Sequence, residues 1–393
     1  MKIVVAAYGS RGDVEPAIAV GAELLRRGHE VRMAATVSPD MRAYVETADL
    51  VWVPYGRDWQ ELLGDEDFTR MLQNPAGAIP QAVEYVAQVV AEKHSTLASL
   101  TDDADLLVAG MTEQVPDANV AEYRSIPLAA LHFFPSQILQ SESAQGGATT
   151  HTDRAQRKAL GLPDEPRPGE RPLEIQAYEE LCLPALAAQW AAEDDRRPFV
   201  GALTLQLPTD TDDEALSWIA AGPPPVYFGF GSTPMAAPAD TIAVIGAACS
   251  RAGVRALICM GANDFGGVPN AENVKVVREV SHAAVFPACC AVVHHGGAGT
   301  TAAGLRAGTP TLILWNGLDQ PMWAAAIEYL EVGFGRGFSD STLDSLTADL
   351  QQILCPQYAA QARTVASKMS TPAESLSRAA DLLEDVARRG TRG

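Results

Sequence analysis

Ala291-Val292-Val293-His294-His295-Gly296-Gly297-Ala298-Gly299-Thr300-Thr301 packs a buried strand, a glycine-rich turn and a helix start into eleven residues. Ala291 to Val293 reads as the end of a core strand, and His294 and His295 leave it. Gly296, Gly297 and Gly299 let a backbone approach a ligand closely, and Thr300-Thr301-Ala302-Ala303 opens a helix that runs to Gly308. A helix N-terminus presents unpaired N–H groups and the positive end of a dipole, which makes it an anion site. A glycine cluster alone is better served by the reading of a tight connection. Two adjacent imidazoles, which an apolar turn does not need and a diphosphate does, tip the reading to phosphate.

The octet His294 to Thr301, followed by Asp319-Gln320-Pro321, resembles the donor-site signature of the nucleotide-sugar glycosyltransferases that decorate antibiotics, sterols and lipids. Gly9-Ser10-Arg11-Gly12-Asp13-Val14-Glu15-Pro16 is similar to the N-terminal motif of the glycopeptide-antibiotic, sterol and mycobacterial glycopeptidolipid enzymes. The resemblance implies the GT-B arrangement, an α/β fold of two Rossmann-like domains with parallel sheets facing a central cleft. It implies an acceptor domain over 1–205, a nucleotide-sugar domain over 206–372, and a terminal helix over 373–393 that crosses back to the first.

The residues read the same way. The 393-residue chain is long enough for two domains, and 47% hydrophobic with 20% charged residues describes a globular chain. No apolar run of about twenty residues is present, so no membrane span is expected, and peripheral contact would come only through an acceptor. The start runs directly into the strand Lys2 to Ala7, without a leader, which points to the cytoplasm. A formal charge of −20 disfavours nucleic acid. The six cysteines at 182, 249, 259, 289, 290 and 355 have no paired spacing and are expected to be reduced core residues.

The apolar run 2–7 predicts a parallel strand, 16–27 a helix closed by Gly28, and 29–35 a second strand, with Gly9 to Asp13 on the connecting loop. Further strands are expected at 50–54, 106–109 and 128–133, with a helical stretch over 80–100. Ser141 to Thr152 is small, polar and Gly-containing, and reads as a mobile surface loop. The passage between domains begins at Arg196 and ends at Gly222-Pro223-Pro224-Pro225, before strands at 226–228, 255–260, 274–277, 291–293 and 311–314. The segment 373–389 is an amphipathic helix.

Several residues carry candidate chemistry. On the resemblance, donor contacts fall to Ser10, Arg11, Ser232, Val280, His295, Gly297, Gly299, Thr300, Asp319 and Gln320. Ser232 lies in a second glycine turn, Phe228 to Pro234, which taken alone is equally a plain strand connection. Val280 lies where relatives hold the nucleobase, often through backbone groups. Arg278 is offered either for base stacking or as a solvated side chain. Asp319 and Gln320 suit sugar hydroxyls, while Asp319 also suits the cap of a helix starting at Pro321.

Asp13 is the candidate general base of an inverting transfer, with helix capping as its alternative. His132 and Phe133 are acceptor candidates, His132 being also readable as a core histidine. Asp210-Thr211-Asp212 matches an Asp-x-Asp metal pattern but lies in a polar stretch with no buried strand before it, so no metal and no cofactor are expected. The sequence thus points to a hexose or deoxyhexose transferred from a UDP- or TDP-sugar to a hydroxyl of a lipid, lipopeptide or other hydrophobic natural product. An epimerase of the same fold and a non-catalytic sugar-nucleotide binder are the rivals. An oxidoreductase is disfavoured because residues 9–13 lack the Gly-x-Gly-x-x-Gly spacing.

Overall fold

The computed structural model describes residues 1–36, 39–56, 91–136, 146–166, 171–205, 208–231, 237–261 and 273–390. The chain divides into two compact units. One comprises Met1–Tyr178, Ala188–Leu205 and Pro372–Gly393, the other Glu179–Ala187 and Gln206–Thr371.

The first unit is built on six parallel strands, β1 (Lys2–Ala7), β2 (Glu30–Ala35), β3 (Val51–Pro54), β4 (Leu106–Ala109), β5 (Leu128–His132) and β6 (Leu173–Gln176), in the order β3-β2-β1-β4-β5-β6. Its central strand explains the apolar run. Ile3, Val5 and Ala7 enter one core and Val4 and Ala6 the other, so every side chain from Ile3 to Ala7 is buried on one face or the other. The helix Pro372–Gly390 belongs to this unit and puts Ala379, Ala380, Leu383 and Ala387 into the same core as Val14, Ala17 and Ile18. Arg27 fastens it, donating to Asp381 at 2.6 Å and to the Ser377 carbonyl at 3.0 Å.

The second unit repeats the plan with β7 (Val226–Gly229), β8 (Ala256–Cys259), β9 (Val274–Val277), β10 (Ala291–His294), β11 (Thr311–Trp315) and β12 (Gly333–Gly337), in the order β12-β11-β10-β7-β8-β9. Counted from its own first strand, each sheet reads 3-2-1-4-5-6. In such sheets ligands bind beyond the carboxyl ends of the strands, where the winding reverses. Those points are β1/β4 in the first unit and β7/β10 in the second.

Four expectations are corrected. The first helix spans Arg11–Arg26, five residues earlier than Pro16, so Asp13 stands in its first turn and not on a loop. Pro16 is tolerated inside it at the loss of one backbone hydrogen bond. Residues Gly146–Ala159 form a helix where a mobile loop was expected. Its anchor is polar: buried Arg157 donates to Asn119 at 2.5 Å and to Glu122 at 2.9 Å, so no apolar stripe announces it. The edge strands β6 and β12 were not expected, one being short with two polar residues and the other three-fifths glycine. Among the cysteines Cys355 is exposed and Cys290 half-buried, while the other four are core residues. Of the helix expected over 80–100, residues 91–100 are helical and the remainder lies outside the described residues.

Candidate functional site

At the β7/β10 point the backbone closes around one imidazole. Gly231 has φ +59°, and a Cβ built on it would lie 2.6 Å from His295 Cε1, while one on Gly297 would lie 2.7 Å from His295 Nε2. Side chains at either position would drive His295 out. Gly261, following β8, also has positive φ, and its Cβ would meet the Gly231 carbonyl at 2.2 Å. Three backbone turns and the ring therefore form one packed layer. Burial holds the pKa of His295 down, the nearby Gly229 carbonyl opposing it, so the resting ring is neutral and keeps one N–H to donate.

The helix Ala298–Ala307 starts directly from this layer. Its first backbone bond runs from Thr301 N to Gly297 O at 2.9 Å, which leaves the N–H groups of Ala298, Gly299 and Thr300 without helical acceptors. Gly299 is exposed with no atom within 4 Å of a Cβ position. The brace is Thr301, buried, with its hydroxyl donating to Gly297 O at 2.9 Å, whereas Thr300 faces outward in part. The arrangement offers three backbone donors, one imidazole and a dipole end to an anion.

Two further segments of the same unit converge here. Gln320 sits over Gly296, whose Cβ would come within 3.0 Å of Gln320 Cβ, and its amide oxygen accepts from Asn316 N at 2.7 Å. Asp319 occupies the N-cap position but makes no side-chain cap. Its Oδ2 accepts from the Trp323 indole at 2.9 Å, which corrects the capping alternative. Leu318, between this pair and Gly317, is 65% exposed with φ +57°, a conformation costly for a leucine.

Following β9, Val280 is buried and Arg278 is exposed. Asp212 organises this segment. Its oxygens accept from Thr209 N and Thr209 Oγ1 at 2.8 Å and from Ser281 N at 2.7 Å, while Thr211 Oγ1 donates to the Glu279 carbonyl. The Asp-x-Asp pattern thus contains one exposed residue, Asp210, and one that ties two turns together. Ser232 lies outside the described residues.

At the β1/β4 point the chemistry is acidic. Asp13 Oδ2 accepts from Ser10 N at 2.6 Å and Ser10 Oγ at 2.8 Å, a reciprocal cap at the start of the Arg11–Arg26 helix. Gly9, with φ +135°, leaves room for it, since a Cβ there would stand 2.4 Å from that oxygen. Burial raises the Asp13 pKa, the Ser10 donors oppose it, and the Glu113 carboxylate adds to the rise. Arg11 is paired with Glu15 at 2.9 Å.

Glu113, just beyond β4, belongs to a buried network that the motif reading missed. Lys93 donates to it at 2.7 Å and lies 3.9 Å over the Tyr8 ring, Tyr55 Oη donates to Glu113 and Asp117 at 3.1 and 3.2 Å, and Thr112 Oγ1 donates to Tyr8 O at 3.0 Å. Asp117 is fully buried, and burial and the Glu113 charge hold its carboxyl well above the usual range, with Lys93 and the Tyr55 hydroxyl opposing the rise. The signal was position: Glu113 leaves the strand that borders β1.

His132 ends β5 and is 1% exposed, with neither ring nitrogen hydrogen-bonded and a pKa lowered by burial to about 4. Phe133 packs edge-on against Phe134. Among the described residues, no three His, Cys, Asp or Glu side chains gather as a metal site, and no helix is long and apolar enough to cross a membrane.

Known proteins share this plan. Residues 3–116 match the glycosyltransferase family 28 N-terminal domain, and 255–382 the erythromycin biosynthesis protein CIII-like C-terminal domain. An uncharacterized glycosyltransferase of Mycobacterium tuberculosis is 52% identical over 418 residues, covering 99% of this chain and 100% of its own. The vancomycin aglycone glucosyltransferase of Amycolatopsis orientalis is 29% identical, covering 99% and 98%. In fold, the chain is similar to glycosyltransferase VinC in complex with DTDP (TM-score 0.68, 19% identity, 99% and 100% covered). It is also similar to Arabidopsis thaliana UGT89C1 complexed with UDP (TM-score 0.72, 15% identity, 98% and 99% covered). With two parallel sheets of one winding, an anion cradle at the second reversal point and relatives matched from end to end, the chain belongs to the GT-B glycosyltransferases, the family that includes the glycopeptide-antibiotic enzymes.

Proposed function

We propose that the chain is a cytoplasmic, metal-independent, inverting glycosyltransferase. It moves a hexose or deoxyhexose from a UDP- or TDP-sugar to a hydroxyl of a lipid, lipopeptide or other natural-product acceptor. The observation that carries the reading is His295 wedged between Gly231 and Gly297 at the start of the Ala298–Ala307 helix. A leaving diphosphate gains negative charge as the glycosidic bond breaks, and fixed N–H donors with a helix dipole stabilise that charge without reorganising. The bound TDP and UDP of the structural neighbours support a nucleoside diphosphate as occupant. Asp319 and Gln320 stand beside the cradle to take sugar hydroxyls, and the backbone of Val280 reads the base.

The first unit supplies the base and the acceptor contacts. Asp13 takes the acceptor's proton as its oxygen attacks the anomeric carbon, and the raised pKa improves its basicity. Cap and base are compatible roles, because capping engages Oδ2 alone. Phe133 contacts the acceptor, with the buried His132 preceding it at the end of β5. Thermal shifts with UDP, TDP and GDP, free and as sugar conjugates, test the donor, since a ligand of the native state raises its melting temperature. Stabilisation by UDP or TDP is expected, and none from any of these ligands overturns the reading.

A further inference from the structure

His294 is the first histidine of the pair, and it has no exposed surface. Its Nδ1 accepts the N–H of Gly296 at 3.0 Å, so the ring proton sits on Nε2, where it meets no partner. Burial, with His295 and His282 nearby, holds the imidazole neutral at any working pH. A buried unpaired N–H costs about 1–3 kcal/mol, which a leucine of similar size would spare. What the imidazole supplies in exchange is the acceptor for Gly296.

That acceptor sits at a decisive place. Gly296 has φ +95°, and a Cβ on it would meet Ile313 Cγ2 at 2.8 Å and Gln320 Cβ at 3.0 Å. Its peptide is thus the hinge from which His295 and Gly297 rise on one side and against which Gln320 seats on the other. We infer that His294 is a positioning residue: by holding the Gly296 N–H inward it fixes the turn that aims His295 and the N–H groups of Ala298, Gly299 and Thr300 at a diphosphate. The inference rests on the donor-site reading above and adds to it a residue that itself touches no ligand.

The test is a ranking of variants by calorimetric affinity for UDP and TDP, with melting temperatures alongside. In His294→Asn the amide oxygen falls near the place of Nδ1 and can accept the same N–H; in His294→Leu no acceptor remains. A packing role ranks Leu above Asn in a site with no exposed surface, and a positioning role ranks Asn above Leu. We expect Asn to bind within about threefold of the parent and Leu to lose about tenfold or more, the worth of one misdirected backbone hydrogen bond. Equal affinity of the Leu variant, or an Asn variant as weak as Leu, overturns the assignment. Should Leu fail to fold, His294→Gln serves in its place, because its amide reaches towards Nε2 and leaves Gly296 without an acceptor, and the same loss is expected. A parent that binds neither UDP nor TDP refutes the donor-site reading instead.

Discussion

The two sheets wind identically, yet their reversal points hold opposite chemistry. Beyond β1 and β4 lie Asp13, Glu113 and Asp117 with one lysine, in a setting that raises the carboxyl pKa of Asp13 and of Asp117. Beyond β7 and β10 lie glycines, the neutral imidazole of His295 and a helix start that offers only donors. One topology therefore carries either an acidic setting or a donor-rich one, according to the side chains that follow its strands.

The comparison breaks most sharply at Asp13. Asp13→Asn retains an oxygen for the Ser10 cap but cannot take a proton, so turnover should fall by about 10²–10⁴. UDP or TDP affinity and melting temperature should stay near the parental values, because Asn and Asp cap almost equally. A near-parental rate at saturating substrates would remove Asp13 from the mechanism and leave His132 as the next candidate.

At the other point His295→Ala should leave the fold intact and weaken diphosphate binding by about tenfold to a hundredfold, the loss of one charge-assisted donor. Calorimetry with UDP or TDP checks this, and an unchanged Kd contradicts it.

Within the first unit, protonation acts in two directions. Burial lowers the imidazoles of His94 and His132 to about 4, against about 6.5 in an unfolded chain, so on acidification the unfolded state takes up protons first. Their contribution is full above pH 6.5 and drains as pH falls towards 4, by about 1 kcal/mol each near pH 5.5. Asp13 and Asp117, with raised pKa values, act in the opposite sense, favouring the folded state at low pH and losing that as pH rises. Melting curves from pH 7.5 to 5 should show a decline that His132→Gln makes shallower; identical pH dependence in parent and variant refutes it.

The smallest expected effect is that of EDTA, which should leave turnover unchanged because phosphate charge is met by protein groups. Loss of activity restored by magnesium or manganese would bring Asp210 back into consideration.

Much of this was legible in the sequence for a physical reason. Central parallel strands are apolar on both faces, and Gly28 and Gly308 mark helix ends that require a left-handed residue, so β1, β10 and their helices announce themselves. The strand, glycine turn and helix start at 291–301 were legible because they are contiguous in sequence. What escaped depended on distant partners. Arg157 anchors a helix through polar contacts from another segment, and Lys93, Tyr55, Glu113 and Asp117 come together from three stretches of chain. Periodicity carries no record of such contacts. The early start of the first helix was hidden by Pro16, which ordinarily marks a helix's first turn and here lies inside one.

The final helix has a consequence for biosynthesis. Because Pro372–Gly390 completes the core that Val14, Ala17 and Ile18 begin, the first unit is interrupted by the second and closed only by residues made after it. Domains ordinarily fold in order of synthesis. Here the nested unit has its full chain first, while the amino-terminal sheet waits with an uncovered apolar flank until the Pro372–Gly390 helix emerges. A chain cut at residue 371 would keep that flank exposed and should accumulate as aggregate.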